Sequence, residues 1–204
     1  NKPTNSNSIS TNVNYVFYKD RSNTYWIGTE NGLNQLQFSS SAFNTPSFTW
    51  FKNEEANPNS ISNNTILSIF EDSNKTLWIG TIGGGLNKLI RNKERSIVGF
   101  KRYNTQNKQF PNDVINSIQE DDNGFLWVGT NTGLVRFDPK EESALREVAQ
   151  GLNFSHLAFE QLLKMIRAQG AFAGGNYQYR QSSQQQPSRN QLSDAYDALG
   201  VSEA

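Results

Sequence analysis

The chain has 204 residues, 35% of them hydrophobic, enough for one or two cores at the polar end of the globular range. Nineteen basic and nineteen acidic residues cancel, leaving no electrostatic footprint for nucleic acid or an anionic membrane surface. The lack of cysteine excludes disulfides and thiolate metal sites, and no apolar run approaches the roughly 18–20 residues that span a bilayer.

Starting at Asn1 without a signal-peptide pattern, the sequence reads as an excerpt of a longer chain. Residues 13–18 form a first strand, residues 19–23 a polar turn, and residues 25–29 a second strand. Asn31-Gly32 is the two-residue signal for a type I′ hairpin, because both residues tolerate positive φ. Residues 33–38 make a third strand with Leu36 and Phe38 on one face, and residues 48–51 a fourth after a Ser/Asn/Pro loop. A second set of four follows at 65–70, 77–81, 86–90 and 98–103. The third set has three strands only, at 114–119, 125–130 and 134–137, with Asn123-Gly124 turning between the first two. Its fourth strand is expected to be missing.

Each set carries Trp-Ile/Val-Gly-Thr with an aspartate six positions before the tryptophan and a Gly-Leu shortly after. The copies are Asp20, Trp26, Gly28, Thr29, Gly32; Asp72, Trp78, Gly80, Thr81, Gly85; and Asp121, Trp127, Gly129, Thr130, Gly133. The tryptophans recur about every fifty residues, the signature of a repeat architecture. A large ring on an inner strand fills the wedge between sheets, and the glycine permits close backbone approach. The aspartates read as turn residues bonding their own backbone rather than metal ligands. Asp121-Asp122-Asn123-Gly124 resembles part of a calcium loop but lacks its downstream glutamate, so no metal is expected.

Four-stranded sheets in series are propeller blades. The run from Asn59-Ser60-Ile61-Ser62 through Asp72, Trp78-Ile79-Gly80-Thr81 and Gly85-Leu86-Asn87 resembles the two-component-regulator propeller repeat. The lead-in recurs at Asn7–Ser10, and the third copy departs from it with Phe110-Pro111-Asn112-Asp113. The resemblance covers about residues 7–137 and implies blades at about 10–52, 62–104 and 113–137. It also implies the extracytoplasmic sensor part of a membrane-bound signalling protein with a histidine kinase or diguanylate cyclase output. Three blades of a ring that closes with about four to eight leave radial faces bare and an edge unpaired at residues 134–137. Further blades of a parent chain, or self-association, are the expected partners.

After residue 138 the pattern changes. Asp138 reads as an N-cap, Pro139 as the first helical residue and Glu141 as the third. Leu145, Val148, Ala149 and Leu152 share one helical face, and Phe159, Leu162, Leu163 and Ile166 another, giving a helical hairpin over 139–170. Residues 171–191 are a Gly/Gln/Ser-rich linker, expected to be disordered. The runs from Glu141 to Leu145 and from Phe159 to Ile166 resemble the end of the TerB-like domain in DjlA-type DnaJ-like co-chaperones. Residues 192–204, with Asp194-Ala195-Tyr196 and Leu199-Gly200-Val201, resemble the start of a J-domain, a cytoplasmic partner rather than an extracytoplasmic one. That resemblance implies DnaK as partner, but the His-Pro-Asp loop is absent and His156, the one histidine, is followed by Leu157. A junction of two unrelated fragments is a third reading.

The overall expectation is a mainly β chain of three antiparallel propeller blades, the third incomplete, followed by a short helical hairpin and a disordered tail. No catalytic residue and no cofactor are expected. Gly83-Gly84-Gly85 sits at a hairpin and opens no helix, and His156 has no nucleophile elbow beside it. The function expected is binding, of a small molecule or glycan fragment, at loops around the propeller axis.

Overall fold

The computed structural model describes residues 8–38 and 46–150, and of residues 145–150 the backbone only. The second helix expected near residues 155–170, the expected linker and the J-domain-like end lie outside the described residues. Twelve strands form three four-stranded antiparallel sheets, and no helix occurs among the described residues. The first blade is β1 (Asn14–Lys19), β2 (Tyr25–Thr29), β3 (Gly32–Phe38) and β4 (Pro46–Phe51). The second is β5 (Ile66–Glu71), β6 (Leu77–Thr81), β7 (Leu86–Arg91) and β8 (Ile97–Tyr103). The third is β9 (Ile115–Glu120), β10 (Leu126–Thr130), β11 (Gly133–Asp138) and β12 (Ser143–Gln150). Each sheet keeps chain order, and β1, β5 and β9 neighbour one another along the inner edge. All three blades lie in one compact unit, Asn1–Ser155.

The third blade is therefore complete, against the expectation of a missing strand, and the edge at residues 134–137 is paired. Leu134 faces Ala149, Arg136 faces Arg146, and Asp138 faces Ser143 across β11 and β12. The helix expected from residue 139 is replaced by a turn and this strand. The local signal was genuine: Asp138 Oδ1 accepts from the amides of Lys140 and Glu141, at 2.8 and 3.2 Å, as an N-cap would. Glu142 then takes φ +52°, which ends the helical turn and sends the chain back along β11. There the unpaired ladder groups of β11 are satisfied, and edge pairing overrides helical periodicity.

The turns into the second strands share one geometry. The amide of Asp20 donates to Thr24 O, that of Asp72 to Thr76 O and that of Asp121 to Phe125 O, at 3.0, 3.0 and 2.9 Å. Asn23, Lys75 and Gly124 occupy the left-handed position at φ +61°, +63° and +82°. The Asn31-Gly32 reading needs a shift by one residue. Glu30 and Asn31 form the connection, and Gly32 opens β3 paired with Thr29.

Two apolar cores lie between blades. The first joins Trp26 and Leu33 of the first blade to Ile69, Leu77, Ile79 and Leu89 of the second. The second joins Trp78, Leu86 and Tyr103 to Ile118, Leu126, Val128 and Phe137 of the third. The registers match: the motif tryptophan presses forward onto the next blade, and four positions of that blade pack backward. Ile61 and Phe110, from corresponding lead-ins, are buried in these cores as well.

Candidate functional site

The repeat motif forms the scaffold of each blade. Asp20 Oδ1 accepts from the amides of Ser22 and Thr24, while its Oδ2 accepts from Trp26 Nε1 at 2.9 Å. Asp72 bonds the Thr76 amide and Trp78 Nε1, both at 2.8 Å. Asp121 bonds the amides of Asn123 and Phe125 and, at 2.9 Å, Trp127 Nε1. One carboxylate thus fixes both the turn and the indole six residues on. The hydroxyls of Thr29, Thr81 and Thr130 donate to the carbonyls of Gly32, Gly85 and Gly133 at 2.8, 2.9 and 2.8 Å, closing the following hairpin. A Cβ on Gly28 would lie 2.7 Å from Ile66 Cγ2, and one on Gly80 2.6 Å from Ile115 Cγ2. These glycines let the first strand of the next blade come close. Gly129 pairs with both Ser117 and Leu134 within the third blade.

A second polar pair anchors the lead-ins of two blades and is replaced in the third. Asn34 Oδ1 accepts from the Ser10 amide, and Asn87 Oδ1 from the Ser62 amide, both at 2.9 Å. Their side-chain amides donate to the Ser10 and Ser62 hydroxyls at 2.9 and 2.8 Å. In the third blade the matching positions are Pro111 and Val135. Proline has no amide hydrogen to give, and the buried valine has no need of one.

What the repeats leave variable is the inner edge. In each first strand the register skips one residue: Asn14 faces Thr29 and Val16 faces Gly28; Ile66 faces Thr81 and Ser68 faces Gly80; Ile115 faces Thr130 and Ser117 faces Gly129. The bulged residues are Tyr15, Leu67 and Asn116. Bulges re-aim side chains and are enriched beside functional sites. Tyr15 is 49% exposed, and Asn116 Nδ2 donates to exposed Asn131 Oδ1 at 3.0 Å. Ile82, at the adjoining hairpin, is also exposed and bridges to Val114. Sequence reading missed this trio. The available signal was that the position five before each repeat aspartate changes character from copy to copy, from Tyr15 to Leu67 to Asn116.

This edge can stack one ring, bury a small apolar group and exchange hydrogen bonds through amides. Two hollows on the outer strands, by Pro58 and Val98 and by Lys108 and Glu142, overlie structural bonds instead. Arg102 there bonds Ser60 O and Asn57 O, both at 2.9 Å. Glu142 bonds Lys88 Nζ at 2.8 Å and also Lys101 Nζ. Burial tends to raise the Glu142 pKa, but hydrogen bonds from Lys101 and Lys88 outweigh it and hold the group at about 2. Burial, with the Glu142 charge adding to it, pushes the Tyr103 phenol upward. Among the described residues no cluster of three or more His, Asp or Glu side chains is arranged to hold a metal.

The sequence pattern of the family described as Two component regulator propeller matches residues 60–83 and 109–132, each stretch running from lead-in through the tryptophan strand. The chain carries two-component regulator propeller repeats. The extracellular domain of a hybrid two component system from B. thetaiotaomicron is similar in structure, with a TM-score of 0.51 and 27% identity. That likeness covers 70% of this chain and 18% of the other. A different likeness covers a minor part of the chain. Co-chaperone protein DjlA of Vibrio cholerae is 46% identical over 74 residues, 32% of this chain and 26% of that protein. DjlA of Photobacterium profundum is 41% identical over 66 residues, 31% of this chain and 24% of that protein. The chain thus spans about a quarter of the curated relatives it matches. The regulator-propeller repeats here resemble extracellular domains, and no helix among the described residues is long and apolar enough to cross a membrane.

Proposed function

We propose that the three blades are part of an extracytoplasmic sensor propeller of a membrane-bound signalling protein, and that they bind rather than catalyse. The ligand class is a small molecule or glycan fragment, held at the bulged inner edge. The observation that carries this reading is the in-phase bulge at Tyr15, Leu67 and Asn116, where an otherwise regular repeat presents three chemically different side chains at one edge. An exposed tyrosine face stacks on a sugar ring, and the Asn116–Asn131 amide pair offers donors and acceptors to hydroxyls. Titration calorimetry of the full chain with a panel of neutral and acidic oligosaccharides tests it. Binding is expected with at least one member, and Tyr15→Ala and Asn116→Ala should each abolish that heat while the circular dichroism spectrum is unchanged. A panel without any binder, or a binder indifferent to both substitutions, removes the ligand half of the proposal.

The similarity to DjlA supports a second reading, in which part of the chain is a piece of a DnaJ-like co-chaperone. The sequence holds no His-Pro-Asp. Its expected outcome is therefore no stimulation of DnaK ATP hydrolysis, and a clear increase would overturn that.

A further inference from the structure

The inner edge carries two variable positions per blade, and they stand side by side. In the third blade the bulged Asn116 donates through Nδ2 to Oδ1 of Asn131, the residue after the motif threonine, at 3.0 Å. The register skip falls at the same place in every first strand. The matching pairs are therefore Tyr15 with Glu30 in the first blade and Leu67 with Ile82 in the second, each fifteen residues apart as in the third. The backbone repeats as well: the Glu30 amide donates to Val13 O and the Ile82 amide to Thr65 O, at 3.4 and 3.0 Å. The hairpins holding Glu30 and Ile82 are bound to the following lead-in, Gly32 N to Asn64 O at 2.7 Å and Gly83 N to Asp113 O at 2.8 Å. Three pairs thus share one edge: aromatic with acid, apolar with apolar, amide with amide. Tyr15, Glu30, Ile82 and Asn131 are exposed. Chain neighbours aside, a Cβ on Gly83 would meet nothing closer than Asn63 Nδ2 at 4.0 Å, so space stays open beside Ile82.

The charge of this edge is one-sided. Residues 11–16 and 29–32, 62–68 and 81–85, 111–117 and 130–133 contain two acids, Glu30 and Asp113, and neither lysine nor arginine. Asp113 is occupied, its oxygens accepting from the Thr105 amide and hydroxyl at 2.7 and 2.6 Å. Glu30 accepts from the Thr11 hydroxyl at 2.8 Å through Oε1, which orients the carboxylate and leaves Oε2 available. An anion at this edge meets a carboxylate and no compensating cation. An ammonium group finds a carboxylate and the face of a tyrosine.

We propose that this edge selects a hydroxylated amine of the amino-sugar class. The ammonium lies by Tyr15 and Glu30, the apolar face of the sugar by Leu67 and Ile82, and the hydroxyls by Asn116 and Asn131. The inference rests on the reading of the bulged edge as the ligand site and adds the sign of the ligand's charge, which excludes acidic saccharides. An exposed ion pair and a cation over an exposed ring each contribute modestly, so the amine is favoured about tenfold over its neutral counterpart, less at high salt.

Titration of the full chain with the trimers of glucosamine, N-acetylglucosamine and galacturonic acid, at low and at high salt, tests the selection. The glucosamine trimer is expected to bind tightest, its N-acetylated form about tenfold weaker and the galacturonate trimer weakest. Glu30→Gln keeps an acceptor for Thr11 but removes the charge, and should bring the glucosamine trimer down to the level of its N-acetylated form. Glu94→Gln, which neutralises an exposed acid in the turn between β7 and β8, should leave the order as it is. Unchanged circular dichroism is the control for folding. A galacturonate trimer bound as tightly as the amine, or an amine preference that survives Glu30→Gln, would overturn the charge selection. Tyr15→Ala then shows whether the bulged edge is still the site. No binding by any of the three trimers would overturn the inference together with the reading beneath it.

Discussion

At the scale of single residues, one carboxylate does two jobs in each blade. Asp72 is almost fully buried, and its oxygens are divided between a turn amide and the Trp78 indole. Asp72→Ala should destabilise by about 1–3 kcal/mol, because it leaves a buried indole N–H without an acceptor. Urea unfolding reads this out as a lower midpoint with an unchanged slope; a midpoint equal to that of the parent would remove the bond from the list of fold determinants. The reciprocal case is the lead-in of the third blade. Val135→Asn places an amide opposite Pro111, which has no hydrogen to donate, and should cost a comparable amount. Adding Pro111→Ser rebuilds the Ser62–Asn87 arrangement and should recover most of the loss. If single and double variants unfold alike, the two positions are not coupled.

At the scale of elements, the periodicity of the sequence made most strands legible, because Trp26, Trp78 and Trp127 mark the same strand in each blade. The bulges were not legible. A strand with one extra residue has the same composition as one without, and only register shows that Tyr15, Leu67 and Asn116 are passed over. The fourth strand of the third blade was misread for a different reason. Asp138 caps a turn equally well whether a helix or a hairpin follows, and Leu145, Val148 and Ala149 fit a helix in isolation. The deciding term is the open edge of β11, a tertiary feature. The hairpin between β11 and β12 is also latched to the second blade through Glu142, Lys88 and Lys101. Since the Glu142 carboxyl sits at about 2, below its ordinary 4.5, the latch contributes stability above about pH 4.5 and loses it as pH falls toward 2. Glu142→Gln should lower stability at neutral pH and flatten this acid limb. Thermal midpoints measured from pH 6 to about 2 would show the two proteins converging. A constant gap down to the lowest pH would mean that the lysines act on the fold without Glu142.

At the scale of the whole molecule, the middle blade is held on both faces while each outer blade is held on one by the described cores. Stability in such arrays is a sum of blade terms and nearest-neighbour terms, so damage at one interface should stay local. The glycines of the tryptophan strands allow a direct test, since each lies against the first strand of its own blade and the first strand of the following one, and neither meets a blade beyond that. Gly28→Ala pushes a methyl group against Val16 of its own blade and Ile66 of the next, disturbing the first blade and its junction with the second. Gly80→Ala pushes one against Ser68 of its own blade and Ile115 of the next, disturbing the second blade and its junction with the third. Overpacking of this kind costs about 1–3 kcal/mol. Native-state hydrogen exchange should locate the loss: Gly28→Ala should speed exchange in β1–β4 and spare β9–β12, and Gly80→Ala should do the reverse. Equal acceleration across all three sheets in both variants would show that the blades unfold as one cooperative unit. In that case the interfaces are stronger than the blades they join, and the three blades behave as a single body.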